Sequence, residues 1–131
     1  MLALHHVSVI TADLKVSLPF YCRVFDLKEV ARPAFPVDGA WLACGSLQIH
    51  LVVHPEGTFR RRPVDRNDGH FAFRADDFEA VVEHLAALGF REDLPEDDPN
   101  YLLILRAGLA GFPQLYLCDP DRNVIEINGA P

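Results

Sequence analysis

HVSVITADL (residues 6–14) and HFAFRADDF (residues 70–78) are two copies of one pattern. Each begins with a histidine and alternates along a strand, reaching an aspartate seven residues later at the start of a helix (His6 to Asp13, His70 to Asp77). A strand sends successive side chains to opposite faces, so a fixed spacing from histidine to helix cap fixes which face the histidine takes. The copies are 64 residues apart, and each continues into a short DL or GF strand start near residues 26 and 89. The chain therefore reads as an internal repeat, each copy strand, helix, then several strands. If a pseudo-twofold axis relates the copies, His6 and His70 occupy equivalent places and can converge on one point. His5 and His6 face opposite ways, which makes His5 an outward residue or a partner of His6.

Working outward, residues 13–25 (DLKVSLPFYCRVF) read as a helix capped by Asp13, which Pro19 should kink or shorten. Residues 77–88 read as a cleaner helix, with Asp77 as cap, an apolar stripe of Val81, Val82, Leu85 and Leu88, and Gly89 as the stop. Strand-like runs fall at 4–11, 27–32, 39–44, 46–53, 69–75, 90–93, 101–107, 114–118 and 123–128. The polar stretch 54–69, HPEGTFRRRPVDRNDG, reads as a linker. We expect one domain, 1–131, with module one at about 1–57 and module two at about 66–131.

Composition narrows the function. Of the 131 residues, 50% are hydrophobic and 24% charged, as in ordinary globular domains. A formal net charge of −7 argues against a nucleic-acid partner. Arg60-Arg61-Arg62 is the only basic cluster, a solvated loop or a rim for an anionic substrate. Cys22, Cys44 and Cys118 are odd in number and lack a CxxC spacing, so buried free thiols and a reducing compartment are expected. The start MLALHHVSVI lacks a signal-peptide pattern and no run approaches a membrane span, which makes cytoplasmic the expected location.

Each module also carries a second donor on a late strand. In SLQIHLVVHP, His50 shares a face with Gln48 and Val52; in NVIEINGA, Glu126 shares one with Val124 and Asn128. A lone strand histidine is ordinarily a hydrogen-bonded interior residue. A carboxylate in an apolar strand, if it faces inward, is costly unless paired or metal-bound. Three imidazoles and one carboxylate at repeat-related positions (His6, His50, His70, Glu126) suit a single divalent ion: Zn, Fe, Mn, Ni or Co. His54 reads as rim and His84 as helix surface.

These residues carry a resemblance. HHVSVITADLKVSLPFYCRVFDL, GAWLACGSLQIHLV, GHFAFRADDFEAVVEHLAALGF and LYLCDPDRNVIEI together resemble the vicinal oxygen chelate superfamily over essentially the whole chain. That superfamily includes glyoxalase I, fosfomycin-resistance thiol transferases, extradiol dioxygenases, methylmalonyl-CoA epimerase and bleomycin-resistance proteins. The resemblance implies an α+β fold of two βαβββ modules forming a cupped mixed sheet around a central cavity. It puts ligand positions on His6, His50, His70 and Glu126, and matches Tyr116 to an aromatic whose hydroxyl reaches the substrate in some members.

The departures are informative. Glyoxalase I has a glutamate where this chain has His50, and an arginine near Ile10. Fosfomycin transferases lack a ligand at position 50 and use basic residues beyond the last strand. Epimerases need a second carboxylate base, for which this chain offers no candidate. Extradiol dioxygenases share His6, His70 and Glu126 but need open coordination positions. Arg122 replaces the usual glycine of the DPDGN turn, which must avoid positive φ or tolerate strain.

The expectation is a metal-dependent enzyme acting on a small substrate with adjacent oxygens, a glyoxalase-like lyase or isomerase first, a dioxygenase or thiol transferase next. Glu126 is the candidate general base and Tyr116 the candidate proton donor. The alternative is a metal-free binding protein of bleomycin-resistance type, its ligand lined by some of Phe20, Trp41, Phe71, Phe73 and Phe112, residues that otherwise read as core. The expected partners are a small molecule and a second copy of the chain.

Overall fold

A computed structural model of the chain describes residues 1–54, 56, 57, 60 and 63–130. It divides into two compact units, Met1–Arg60 and Arg61–Pro131. The first runs β1 (His6–Thr11), α1 (Leu14–Phe25), β2 (Lys28–Val30), β3 (Gly39–Cys44) and β4 (Leu47–Val53). The second runs β5 (His70–Ala75), α2 (Phe78–Ala87), β6 (Leu103–Leu105), β7 (Gln114–Cys118) and β8 (Val124–Gly129). Each unit is a four-stranded mixed sheet, in the orders β1-β4-β3-β2 and β5-β8-β7-β6, so each is a βαβββ module and the fold is α+β. No helix among the described residues is long and apolar enough to cross a membrane.

The registers make the modules equivalent residue by residue. In the first, β1 pairs parallel to β4 with Ser8 opposite His50; in the second, β5 pairs parallel to β8 with Ala72 opposite Glu126. Trp41 lies opposite His50 and Tyr116 opposite Glu126 on the antiparallel neighbours β3 and β7. His6 thus corresponds to His70, His50 to Glu126 and Trp41 to Tyr116. The repeat distance is 64 from His6 to His70 but 76 from His50 to Glu126, because module two carries extra chain between α2 and β7.

Part of that extra chain was expected to be a strand at 90–93. It forms only the single bridge Arg91 to Tyr101, because the chain turns back at once through Pro95 and Asp98. The Asp98 carboxylate and carbonyl accept from the N–H groups of Asn100 and Tyr101, closing that turn.

Both helices start where expected. The Asp13 carboxylate accepts from the Lys15 N–H at 2.9 Å, and that of Asp77 from the Ala80 N–H at 3.0 Å. They end on left-handed residues, Asp26 (φ 53°) in module one and Gly89 (φ 95°) in module two. Pro19 neither stops nor shortens α1. Its missing hydrogen bond falls on the exposed side of the helix, opposite buried Ser17, Phe20, Tyr21 and Val24, where water can satisfy the Lys15 carbonyl. Pro19→Ala is therefore expected to stabilise the protein by about 1–3 kcal/mol, read as a raised urea midpoint.

Each core lies on one sheet face. Ala40, Leu42, Ile49 and Leu51 are buried in module one, and Leu115, Leu117, Ile125 and Ile127 in module two. The residues between them in sequence, His50 and Glu126 included, point the other way. The free thiols depart from expectation: Cys118 is buried, but Cys22 and Cys44 are only partly covered. Arg122 adopts φ 65°, so its turn keeps the left-handed residue instead of avoiding it. The buried Asp119 carboxylate compensates by accepting from the N–H groups of Asp121 and Asn123 and from the Asn123 amide. Arg61 and Arg62 of the basic cluster lie outside the described residues.

Candidate functional site

In module one, His6 and His50 stack with centroids 4.1 Å apart and planes 15° apart. Trp41 stacks on His50 at 4.3 Å and 6°. Phe35 tilts against Trp41 at 6.0 Å, with the Arg32 guanidinium 4.9 Å from its ring centre. This column holds the His50 ring flat, and the 2.8 Å contact between its Nε2 and Gln48 Oε1 fixes its edge. In this arrangement Nε2–H donates to the amide oxygen and the lone pair sits on Nδ1. Burial, then the neighbouring His6, His5 and Arg32, pushes the His50 pKa below its ordinary value, which favours neutral imidazole, the ligating form. His5 is a partner of His6: their Nδ1 atoms share a hydrogen bond at 3.0 Å, leaving His6 Nε2 as its other donor atom.

In module two, His70 Nε2 lies 3.0 Å from Glu126 Oε2, while His70 Nδ1 is 2.6 Å from the Asp68 carbonyl oxygen. A carbonyl only accepts, so Nδ1 carries a proton and Nε2 is the nitrogen presented to the carboxylate. The other Glu126 oxygen accepts from the Gln114 amide at 2.8 Å and the Asn128 amide at 3.4 Å. Burial alone would raise the Glu126 pKa. Hydrogen bonds from Gln114, Asn128 and His70, with the charge of His70, outweigh it and hold the carboxyl below its usual range.

Tyr116 lies beside this carboxylate in an apolar cluster with Cys118 and Val124, against which Val64, Leu103 and Leu105 pack. Burial and the Glu126 charge raise its pKa over a smaller opposing effect of Arg66, so it stays a phenol.

A deprotonated Nε2 facing an ionised carboxylate across 3.0 Å sets lone pair against lone pair. Only a shared positive charge, a proton on Nε2 or a bound cation, relieves that contact. The His70–Glu126 pair therefore fits a divalent ion in its donor chemistry, and the Asp68 carbonyl fixes the orientation of the His70 ring. Among the described residues the donors come as two pairs, one per module, and no group of three or more His, Cys, Asp or Glu side chains is gathered to hold an ion.

The face-sharing expected of His50 with Gln48, and of Glu126 with Asn128, is seen in direct contacts. Gln114 was missed, although stepping two residues from Tyr116 along its strand would have found it. Of the proposed apolar liners, Trp41 shares the His50 face, whereas Phe71 and Phe73 point away from the His70 face and Phe20 packs on Tyr21 and Phe25. His54 Nδ1 accepts from the Glu56 N–H, and His84 is exposed in the last turn of α2.

Gln114→Met removes the shortest hydrogen bond to the Glu126 carboxylate. The lowered pKa means that Glu126 adds stability above the unfolded carboxyl value, lost as pH falls through the folded one. The variant should lose about 1.5–3 kcal/mol at pH 7 and less at pH 3.5, measured by urea unfolding at both values.

A repeated βαβββ module with ligand-type side chains on the sheet face opposite its core defines a class in which the fold frames chemistry carried on that face. The family model of the Glyoxalase/Bleomycin resistance protein/Dioxygenase superfamily matches residues 3–127, and the chain belongs to that superfamily. It is 29% identical over 128 residues to Glyoxylase I 4 of Arabidopsis thaliana, covering 95% of this chain and 69% of that protein. Its fold is shared by a lactoylglutathione lyase from Agrobacterium tumefaciens (TM-score 0.70, 23% identity, 98% of this chain and 93% of that one). It is shared too by the fosfomycin resistance protein FosX of Listeria monocytogenes (TM-score 0.69, 18% identity, 100% and 93%).

Proposed function

We propose that this protein is a divalent-metal-dependent enzyme acting on a small molecule with adjacent oxygens, a lyase or isomerase of glyoxalase type, with His6, His50, His70 and Glu126 as metal ligands. The observation that carries this reading is the 3.0 Å approach of His70 Nε2 to the Glu126 carboxylate with Nδ1 committed to the Asp68 carbonyl. The Arabidopsis relative's name supports the glyoxalase-type choice. When bound, the ion supplies Lewis-acid stabilisation of charge developing on a substrate oxygen.

The side chains supply the rest. Glu126 is a hydrogen-bonded carboxylate that accepts a proton when free of the ion, although a carboxyl held low is a better ligand than base. Tyr116, kept as a phenol beside it, donates a proton. The apolar cluster of Tyr116, Cys118 and Val124 keeps water from that side of the carboxylate. The partners are the small substrate and a second copy of the chain, and the location is cytoplasmic.

Elemental mass spectrometry on protein purified without chelator or nickel affinity tests the reading. About one ion per chain supports it, and the metal found selects the substrates to screen. Failure to bind Zn, Mn, Fe(II), Ni or Co even on reconstitution overturns it in favour of a metal-free binding protein. Oxygen uptake with a catechol after anaerobic Fe(II) loading would reassign the reaction to ring cleavage.

A further inference from the structure

Arg74 stands opposite Asn128 in the β5–β8 register, on the strand face that carries His70. Its equivalent in module one is Ile10, opposite Val52, so module two alone has a cation at this place. Two contacts hold the side chain. Its Nη1 donates to the Gly129 carbonyl at 2.8 Å, and its guanidinium carbon lies 4.6 Å from the centre of the Phe112 ring. One N–H is thereby spent, leaving four donors in a planar fork. Arg74 is exposed and forms no ion pair with a carboxylate among the described residues. By contrast, Arg91 pairs with Asp93, and Arg106 with Glu92 and Glu79. Glu126, the acid on β8 that shares this face, is taken up by His70, Gln114 and Asn128.

A guanidinium tethered at one nitrogen and stacked on an aromatic ring has already lost much of the rotamer freedom that an arginine must give up on binding. Its fork matches an oxyanion in bidentate geometry.

The geometry points to Arg74 as the anchor for an anionic group of the substrate, a carboxylate or a phosphate distinct from the adjacent oxygens at the His70–Glu126 pair. Phe112 and the Gly129 carbonyl orient it. The substrate class is thereby narrowed to small organic acids or phosphate esters. This inference rests on the proposed function only in taking the His70–Glu126 face as the place where substrate binds.

The test is an NMR titration of the 15N-labelled full chain with inorganic phosphate, acetate and, as neutral control, acetamide. The Arg74 Nε–Hε resonance is assigned from the spectrum of Arg74→Lys. It should shift saturably at low-millimolar phosphate or acetate and not with acetamide, and the anion with the lower midpoint identifies the substrate group. In Phe112→Leu the midpoint should rise several-fold with the fold intact. In Arg74→Met the response of the Gly129 amide should vanish. No saturable shift with either anion in the wild type, or an unchanged Gly129 response in Arg74→Met, overturns the assignment. Because the principal readout is the wild-type resonance, a poorly folded variant does not remove the test. Metal content of the same sample is scored separately, so anion binding without metal fails the function and keeps the anchor, and metal without anion binding does the reverse.

Discussion

Glu126→Ala is expected to abolish stoichiometric metal binding, with the ion content of the purified and reconstituted variant falling from about one per chain to near zero. Alanine removes the only carboxylate of the proposed ligand set, together with the charge facing His70 Nε2 across 3.0 Å. His70→Ala should lose the ion as well, because it removes the imidazole whose Nδ1 is held by Asp68. Thermal unfolding separates this from a folding defect. Leaving the Asn128 amide without the Glu126 acceptor, and the Gln114 amide with only the Tyr116 hydroxyl, should cost about 1–3 kcal/mol, which lowers the midpoint without erasing the transition. Full retention of metal in Glu126→Ala, measured by elemental mass spectrometry on a folded sample, would remove Glu126 from the proposed ligand set.

The second large effect is on stability. Leu51→Ala and Ile125→Ala are each expected to cost about 2–5 kcal/mol, the range for truncating a fully buried aliphatic side chain. Both side chains are fully buried on central strands, one residue from His50 and Glu126 respectively. Leu51 lies between Val9 and Ala40 in the register, and Ile125 between Phe71 and Leu117. Val16→Ala, at a position 52% exposed on α1, should fall within about 0.5 kcal/mol of wild type. Urea unfolding reads all three, with unchanged slope expected for each. A loss below about 1 kcal/mol for Leu51→Ala or Ile125→Ala would show that the strand face assigned to the core is wrong.

Ile125→Ala and Glu126→Ala probe opposite faces of one strand, β8. That separation follows from the strand period of two: in β8, Ile125 and Ile127 build the core, and Glu126 between them points to the opposite face, where His70, Gln114 and Asn128 hold it. Such a face can change its polar residues at modest cost in stability, provided each buried one keeps its hydrogen-bond partners. Gln114 serves that end by allowing a carboxylate to stay ionised inside an apolar strand.

The sequence by itself determined the features whose causes are local. The histidine-to-aspartate spacing gave both helix starts, and alternation put His50 with Gln48 and Glu126 with Asn128. Pairing the two copies gave a repeat of strand, helix and several strands, and the resemblance carried by the motifs implied the βαβββ module and the superfamily. Where a local signal was read without its surroundings, it misled. Pro19 was expected to kink or shorten α1, which instead runs its full length from Leu14 to Phe25, and residues 90–93 carry a strand-like run in a segment that turns back at once. Only the tertiary structure decided which side chains meet. The Trp41–His50–His6 column, the Gln114 bond to Glu126 and the tethering of Arg74 depend on strand register and on residues up to 55 positions apart. Propensity and spacing act over a few residues, whereas these contacts exist only once the strands are paired.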